Sequence, residues 1–288
     1  MFVPARLRSC VPRPLPIQPS ADSAAAEPQS TGAPDRLPVS ETFVSIQGEG
    51  LLTGVPSLFI RLSGCNLRCA WCDTPYASWS PTTDGRGGGT RTIDDLAHEA
   101  GASGVSHAVL TGGEPMMFPQ LVALSRRLGL RGADGGLGMH ITIETAGTVT
   151  PPGWFDAESG GVCHLMSVSP KLSTSTPRND PRDTSGVWTA RHEQRRLNMP
   201  VLQRLLDEYP SPRRQLKFVV CTGRDLEEID GVLGGLRGIA PTDVLLMPEG
   251  VAAPSTEKKD LVVRACLARG FRYCTRLHLD LFGNRRGT

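Results

Sequence analysis

Three cysteines stand within eight residues, Cys65-Asn66-Leu67-Arg68-Cys69-Ala70-Trp71-Cys72, directly after the apolar run Leu58-Phe59-Ile60-Arg61-Leu62. The run reads as a short strand, so the thiols lie in the loop past its end. A 4Fe–4S cluster is normally held by four thiolates, so three in one loop leave one iron open to another ligand. A structural zinc site is the competing reading, but it takes four Cys or His ligands, mostly as two short pairs. A second pair is missing. Cys10 lies in a Pro-rich stretch, Cys163, Cys221, Cys266 and Cys274 stand singly, and only Cys163-His164 offers two adjacent ligands.

The rest of the chain alternates. Residues 42–46, 58–62, 108–110, 140–145, 165–168, 216–221, 244–246 and 271–277 read as strands. Thr92-Ile93-Asp94-Asp95 and Thr222-Gly223-Arg224-Asp225 have capping-box form and open helices to about 102 and 236. Pro119 is expected at a first helical position, before Leu121, Val122, Leu124 and Leu128 on one face. Further helices are expected over 201–209 and 255–269, the latter with Leu261, Val262, Ala265 and Leu267 inward. Strands alternating with helices predict an α/β fold with a mainly parallel sheet. About six β/α units are too few for an eight-fold barrel, which predicts a partial, open TIM-like barrel. Segments 79–89 and 173–193 break the rhythm and read as loops.

Residues 1–38 are rich in Pro, Ser and Ala, without apolar periodicity, and are read as a disordered extension before a domain at 39–288. They carry Arg6, Arg8 and Arg13 but no apolar core of a secretory signal. Net charge is +2, which makes no case for nucleic acid or a membrane surface, and no apolar run is long enough to span a bilayer. Eight scattered cysteines do not form a secreted disulfide framework, so a reduced cytoplasm is expected.

The motifs with chemical content fall just past strand ends: the cysteine loop, Thr111-Gly112-Gly113-Glu114-Pro115, Glu144-Thr145, Ser169-Pro170-Lys171 and Met247-Pro248-Glu249-Gly250. In a parallel barrel those ends share one face, where active sites form. An open iron can chelate an amino acid's amino and carboxylate groups, as the methionine part of S-adenosylmethionine presents them. Gly112 and Gly113 admit close backbone approach, Glu114 offers an acceptor for an ammonium, and Lys171, one of four lysines, offers a cation to a carboxylate or a donor to a hydroxyl. Singly, each is an ordinary turn or a solvated charge; together beside three thiols they form a site.

The cysteine triplet with Gly112-Gly113-Glu114-Pro115 resembles the radical S-adenosylmethionine enzymes. Thr42-Phe43-Val44-Ser45-Ile46-Gln47-Gly48-Glu49-Gly50, Phe59-Ile60-Arg61-Leu62-Ser63-Gly64-Cys65-Asn66-Leu67, Cys72-Asp73-Thr74, Glu144-Thr145-Ala146-Gly147-Thr148 and Ser169-Pro170-Lys171 narrow the resemblance to the 7-carboxy-7-deazaguanine synthase family of queuosine and 7-deazapurine biosynthesis. It covers the chain from about Val39 onward.

The resemblance implies that Cys65, Cys69 and Cys72 ligate three irons and that S-adenosylmethionine chelates the fourth. The cofactor would touch Trp71, Cys72, Asp73, Gly113, Glu114, Ser169, Pro170 and Lys171. Its one-electron cleavage would start hydrogen abstraction from 6-carboxy-5,6,7,8-tetrahydropterin, followed by ring contraction and loss of ammonia. Ile46, Gln47, Gly48, Arg61 and Thr111 would contact the pterin, and Thr74 would ligate a Mg2+ ion shared with it. The resemblance also implies a homodimer and a flavodoxin or ferredoxin as electron donor. Arg61 suits a carboxylate, and a hydroxyl suits magnesium, a hard ion that draws most of its ligands from substrate and water. Ala146 stands where many relatives carry Asn, and no substrate contact is carried over to 284–288. The rivals are a glycyl-radical activase, which shares the cysteine spacing, and an electron-transfer or zinc module.

Overall fold

The computed structural model describes residues 35–132 and 136–288. The expected extension at 1–38 therefore lies outside the described residues, apart from 35–38. Of these, Arg36 to Pro38 are the first residues of β1 (Arg36–Ile46), and Leu37 is fully buried in the core. β1 thus starts before residue 39, and its first residues pair with a strand the sequence did not suggest, β3 (Gly89–Thr92).

β1 runs antiparallel to both β3 and β2 (Pro56–Leu62). From β2 onward every pairing is parallel, through β4 (His107–Gly112), β5 (His140–Thr145), β6 (Leu165–Val168), β7 (Arg214–Val220), β8 (Val244–Pro248) and β9 (Arg272–Tyr273). The sheet order is β3-β1-β2-β4-β5-β6-β7-β8-β9. It does not close, and β3 and β9 are its edges: a partial, open TIM-like barrel. β4, β7 and β8 are buried nearly throughout, as parallel strands covered on both faces must be.

The helices are α1 (Ile93–Ala102), α2 (Leu121–Gly129), α3 (Val187–Arg195), α4 (Met199–Glu208), α5 (Gly223–Gly234), α6 (Thr256–Arg269) and α7 (Leu277–Phe282). The capping box at Thr92 and Asp95 forms as expected. Strand residues Leu110, Ile141, Ile143, Leu216, Phe218 and Leu246 meet Leu124, Leu202, Ile229 and Val262 from the helices in one core. Each fully buried side chain of this size stabilises the fold by about 1.5–3 kcal/mol.

Four expectations are corrected. α2 starts at Leu121, with Pro119 in the preceding turn. In α6 the inward positions are Val262, Ala265 and Cys266, while Leu267 is 80% exposed, one helical step off that face. The last strand is only Arg272–Tyr273; Leu277 N–H then donates to the Gly48 carbonyl, and the chain turns into α7. Segment 173–193 is not a loop throughout, because it contains most of α3. That helix is polar and buries only His192, so it carries no apolar stripe to reveal it.

Candidate active site

Parallel register brings the strand ends level. Leu62 pairs with Gly112, Thr145 with Val168 and Val220 with Pro248. The residues that follow these ends therefore face one another around a cavity of about 480 Å³.

The cysteine loop forms one wall and is braced from behind. Leu67 is buried, and the Arg68 guanidinium donates to the carbonyls of Cys65 and Leu67 at 2.7 and 2.8 Å. Trp79 Nε1–H donates to the Cys69 carbonyl at 2.9 Å, and Ala70 N–H to the Ser175 carbonyl at 2.8 Å. From α3, His192 Nδ1 accepts the Arg68 N–H at 3.1 Å while Nε2 meets the Ser175 hydroxyl at 2.8 Å. Burial holds this imidazole at about 4, so it is neutral, as an Nδ1 acceptor must be. The segment read as a loop is thus the back support of the thiols.

The glycine turn forms the next wall. Gly113 N–H donates to the Leu62 carbonyl, and Glu114 N–H to the Gly64 carbonyl at 2.9 Å. A Cβ on Gly113 would lie 2.1 Å from the Gly64 carbonyl oxygen, so glycine is required for this approach. Glu114 is fully buried and accepts from Met116 N–H, the Thr145 hydroxyl and Ala146 N–H. Burial nevertheless pushes its carboxyl above the ordinary range. Its side chain locks the turn to the end of β5 and does not line the cavity; nor does Pro170.

The other expected site residues do line it: Cys65, Cys69, Trp71, Cys72, Asp73, Thr74, Gly113, Ser169 and Lys171, and, on the pterin side, Ile46, Gln47, Gly48, Arg61 and Thr111. Lys171 donates to the Ser169 carbonyl and hydroxyl, both at 2.8 Å, and lies 5.9 Å from the Trp71 ring centre. The Thr74 hydroxyl is 3.8 Å from the Cys72 sulfur. Arg61 Nε–H donates to Glu41 at 2.9 Å. Burial alone would lower the Arg61 pKa, but Tyr76 and Glu41 more than offset it, and the guanidinium stays charged.

Several lining residues were not singled out from the sequence. Glu49, 14% exposed, lies between Lys217, to which it is hydrogen-bonded, and Arg276 at 3.4 Å. Burial would raise its carboxyl, yet the two cations outweigh that and hold it at about 2. Glu144, named only as part of a strand-end motif, accepts from Gln47 Nε2–H at 3.2 Å. His278 and residues 283–288 complete the rim. Only the motif runs around Glu49 and Glu144 hinted at any of these.

The donor set fits an iron–sulfur cluster. The three thiols are free, and burial pushes Cys65 up to about 12 and Cys69 well above its ordinary range. Such thiols become thiolates only beside strongly positive metal. Among the described residues no three His, Cys, Asp or Glu side chains surround a single ion. A cluster asks for something else, thiolates spread over several irons. The buried Trp71 Nε1–H lacks a hydrogen-bond partner, leaving an unspent donor beside the cavity.

An open, mainly parallel α/β sheet carrying a three-thiol loop and a glycine turn at its strand ends is the architecture of a radical S-adenosylmethionine enzyme, and the Radical SAM superfamily model matches residues 59–174. A 7-carboxy-7-deazaguanine synthase of Rhodopirellula baltica is 43% identical over 96% of this chain and 99% of its own length. One of Halobacterium salinarum is 39% identical over 94% and 98%. The crystal structure of QueE from Escherichia coli matches with a TM-score of 0.57 at 28% identity, over 84% of this chain and 95% of that one. The chain belongs to the 7-carboxy-7-deazaguanine synthase family. It is a radical S-adenosylmethionine lyase whose cofactors are a 4Fe–4S cluster and S-adenosylmethionine, and the activase and zinc-module readings are not favoured.

Proposed function

We propose that this cavity converts 6-carboxy-5,6,7,8-tetrahydropterin to 7-carboxy-7-deazaguanine with loss of ammonia, as a step of queuosine or 7-deazapurine biosynthesis. The observation that carries the reading is that the three thiols and Arg61 line one cavity. Cys65, Cys69 and Cys72 would hold the cluster; with S-adenosylmethionine bound, it supplies a one-electron cleavage that yields a hydrogen-abstracting radical. Trp71, Asp73, Gly113, Ser169 and Lys171 position the cofactor, while Glu114 and Pro170 shape the turns that carry them. Arg61 meets the pterin carboxylate, and Gln47, held by Glu144, presents its amide to the pterin edge. Ile46, Gly48 and Thr111 complete that wall.

Thr74 would hold a Mg2+ ion beside the substrate, a role supported by its place next to Cys72 on the cavity wall. Family membership supports a homodimer, a flavodoxin or ferredoxin donor and a cytoplasmic setting. No helix among the described residues is long and apolar enough to cross a membrane.

Anaerobic reconstitution followed by reductant, S-adenosylmethionine and the pterin should give 7-carboxy-7-deazaguanine. Cofactor cleavage without pterin turnover would defeat the substrate assignment alone, and a protein that takes up zinc but no iron would defeat the whole reading. Arg61→Ala should assemble the cluster normally but raise KM for the pterin; an unchanged KM removes Arg61 from the site.

A further inference from the structure

The carboxylate of Glu41, in β1, ties three parts of the cavity wall together. It is 2% exposed. Oε1 accepts from Arg61 Nε–H and from the Tyr76 hydroxyl, both at 2.9 Å, and Oε2 accepts from Arg286 Nε–H at 3.0 Å. The Arg286 guanidinium also lies over the Tyr76 ring, 4.1 Å from its centre, and reaches Asp84 at 3.2 Å. Arg61, Tyr76 and Arg286 line the cavity; Glu41 stands behind them.

Charge and geometry point the same way. Glu41 and Arg61 alone would be a neutral buried pair, and an incoming carboxylate would compete with Glu41 for the guanidinium. With Arg286 on the other oxygen, two guanidinia share one buried carboxylate and a positive charge remains at the wall. Two further anions bear on this wall, Asp84, 71% exposed, and Asp73, 45% exposed and acting on Arg61 from across the cavity, and water screens both. Glu41 takes only Nε–H of Arg61, so the two Nη groups, which carry four of the five N–H donors, have no protein partner among the described residues.

We infer that Arg286 is a positioning residue for substrate specificity: it occupies Glu41 from the far side and so leaves the Arg61 fork and its charge available to a carboxylated pterin. The inference rests on the proposed role of Arg61. Its test is equilibrium binding of 6-carboxypterin, with unsubstituted pterin as control, to the reconstituted enzyme with S-adenosylmethionine present. Arg286→Ala should weaken 6-carboxypterin at least about tenfold (about 1.4 kcal/mol), with unsubstituted pterin, cofactor affinity and cluster absorbance unchanged. Arg286→Lys, which keeps the charge and loses the planar stack, should fall between. Adding Glu41→Gln to Arg286→Ala should recover most of the loss, because Glu41 then no longer competes for Arg61.

Unchanged 6-carboxypterin affinity in Arg286→Ala overturns the inference, as does an equal loss for both pterins, the mark of a mere brace. A folded double variant no better than Arg286→Ala also overturns it; if that variant does not fold, the Lys variant and the paired ligands decide. Arg61→Ala separates the levels: normal 6-carboxypterin binding there defeats the reading beneath, whereas loss there but not in Arg286→Ala defeats this inference alone.

Discussion

Gly113→Ala measures how tightly the glycine turn is set against the cysteine loop. A Cβ at this position would sit 2.1 Å from the Gly64 carbonyl oxygen and 2.6 Å from that of Ala77. Both are backbone atoms, so no side chain can swing aside. Opening the shorter contact to 3.0 Å, below which real Cβ contacts essentially do not occur, moves the turn by roughly 1 Å (3.0 − 2.1). Gly64 adjoins Cys65, and the hydrogen bonds Glu114 N–H to Gly64 and Gly64 N–H to Ala77, each 2.9 Å, would have to stretch. Overpacking of this kind costs about 1–3 kcal/mol, which in a chain of this size lowers Tm by roughly 2–12 °C. The functional loss should be larger, because a 1 Å displacement at a reacting site can cost on the order of 10²-fold. Melting of the cluster-free protein reads the first effect. S-adenosylmethionine affinity and cleavage by the anaerobically reconstituted enzyme read the second. A variant with the parent Tm and cofactor affinity would refute the argument, since the turn would then have slack that the backbone contacts deny.

Further outcomes follow from single groups. Cys69→Ala should abolish cofactor cleavage, with the loss of cluster absorbance showing why; retained cleavage would remove Cys69 from the ligand set. Thr74→Val should remove the stimulation of turnover by Mg2+ while sparing cluster assembly, and stimulation that survives would exclude Thr74 as ligand. His107 is buried, with Nδ1 2.7 Å from the Ser57 hydroxyl and Nε2 2.8 Å from that of Thr142. Burial, helped by His140 and His164, holds its pKa at about 4, below the unfolded value of about 6.5. A depressed folded pKa means the unfolded chain binds the proton first, so the stability it contributes is complete above pH 6.5 and declines as pH falls toward 4. His107→Asn should lower Tm at pH 7 and flatten its fall between pH 6.5 and 4; an unaltered slope would assign the acid sensitivity elsewhere.

Much of the fold was legible because its signals are local. Thr92 and Asp95 announce α1 by a cap that forms as written, the strand at 140–145 shows by its alternation, and 165–168 by a short apolar run. α3 was not legible, since its single buried residue, His192, is held by Arg68 and Ser175 from distant parts of the chain. Nor was the exposure of Leu267, which follows from helix phase and not from hydrophobicity.

The sequence by itself determined the chemistry available: three thiols in one loop, two adjacent glycines, and the motifs that mark the family. These act over a few residues, and spacing along the chain expresses them. Only the tertiary structure decided which side chains share the cavity and what each is free to do. It tied the Glu114 carboxylate to Thr145 and Ala146 at the end of β5. It also brought Glu49 to Lys217 and Arg286 to Glu41 across 168 and 245 residues of chain. Charges so far apart in sequence meet only because parallel register and the return of α7 carry them to one rim. No local pattern encodes a pairing that packing alone creates.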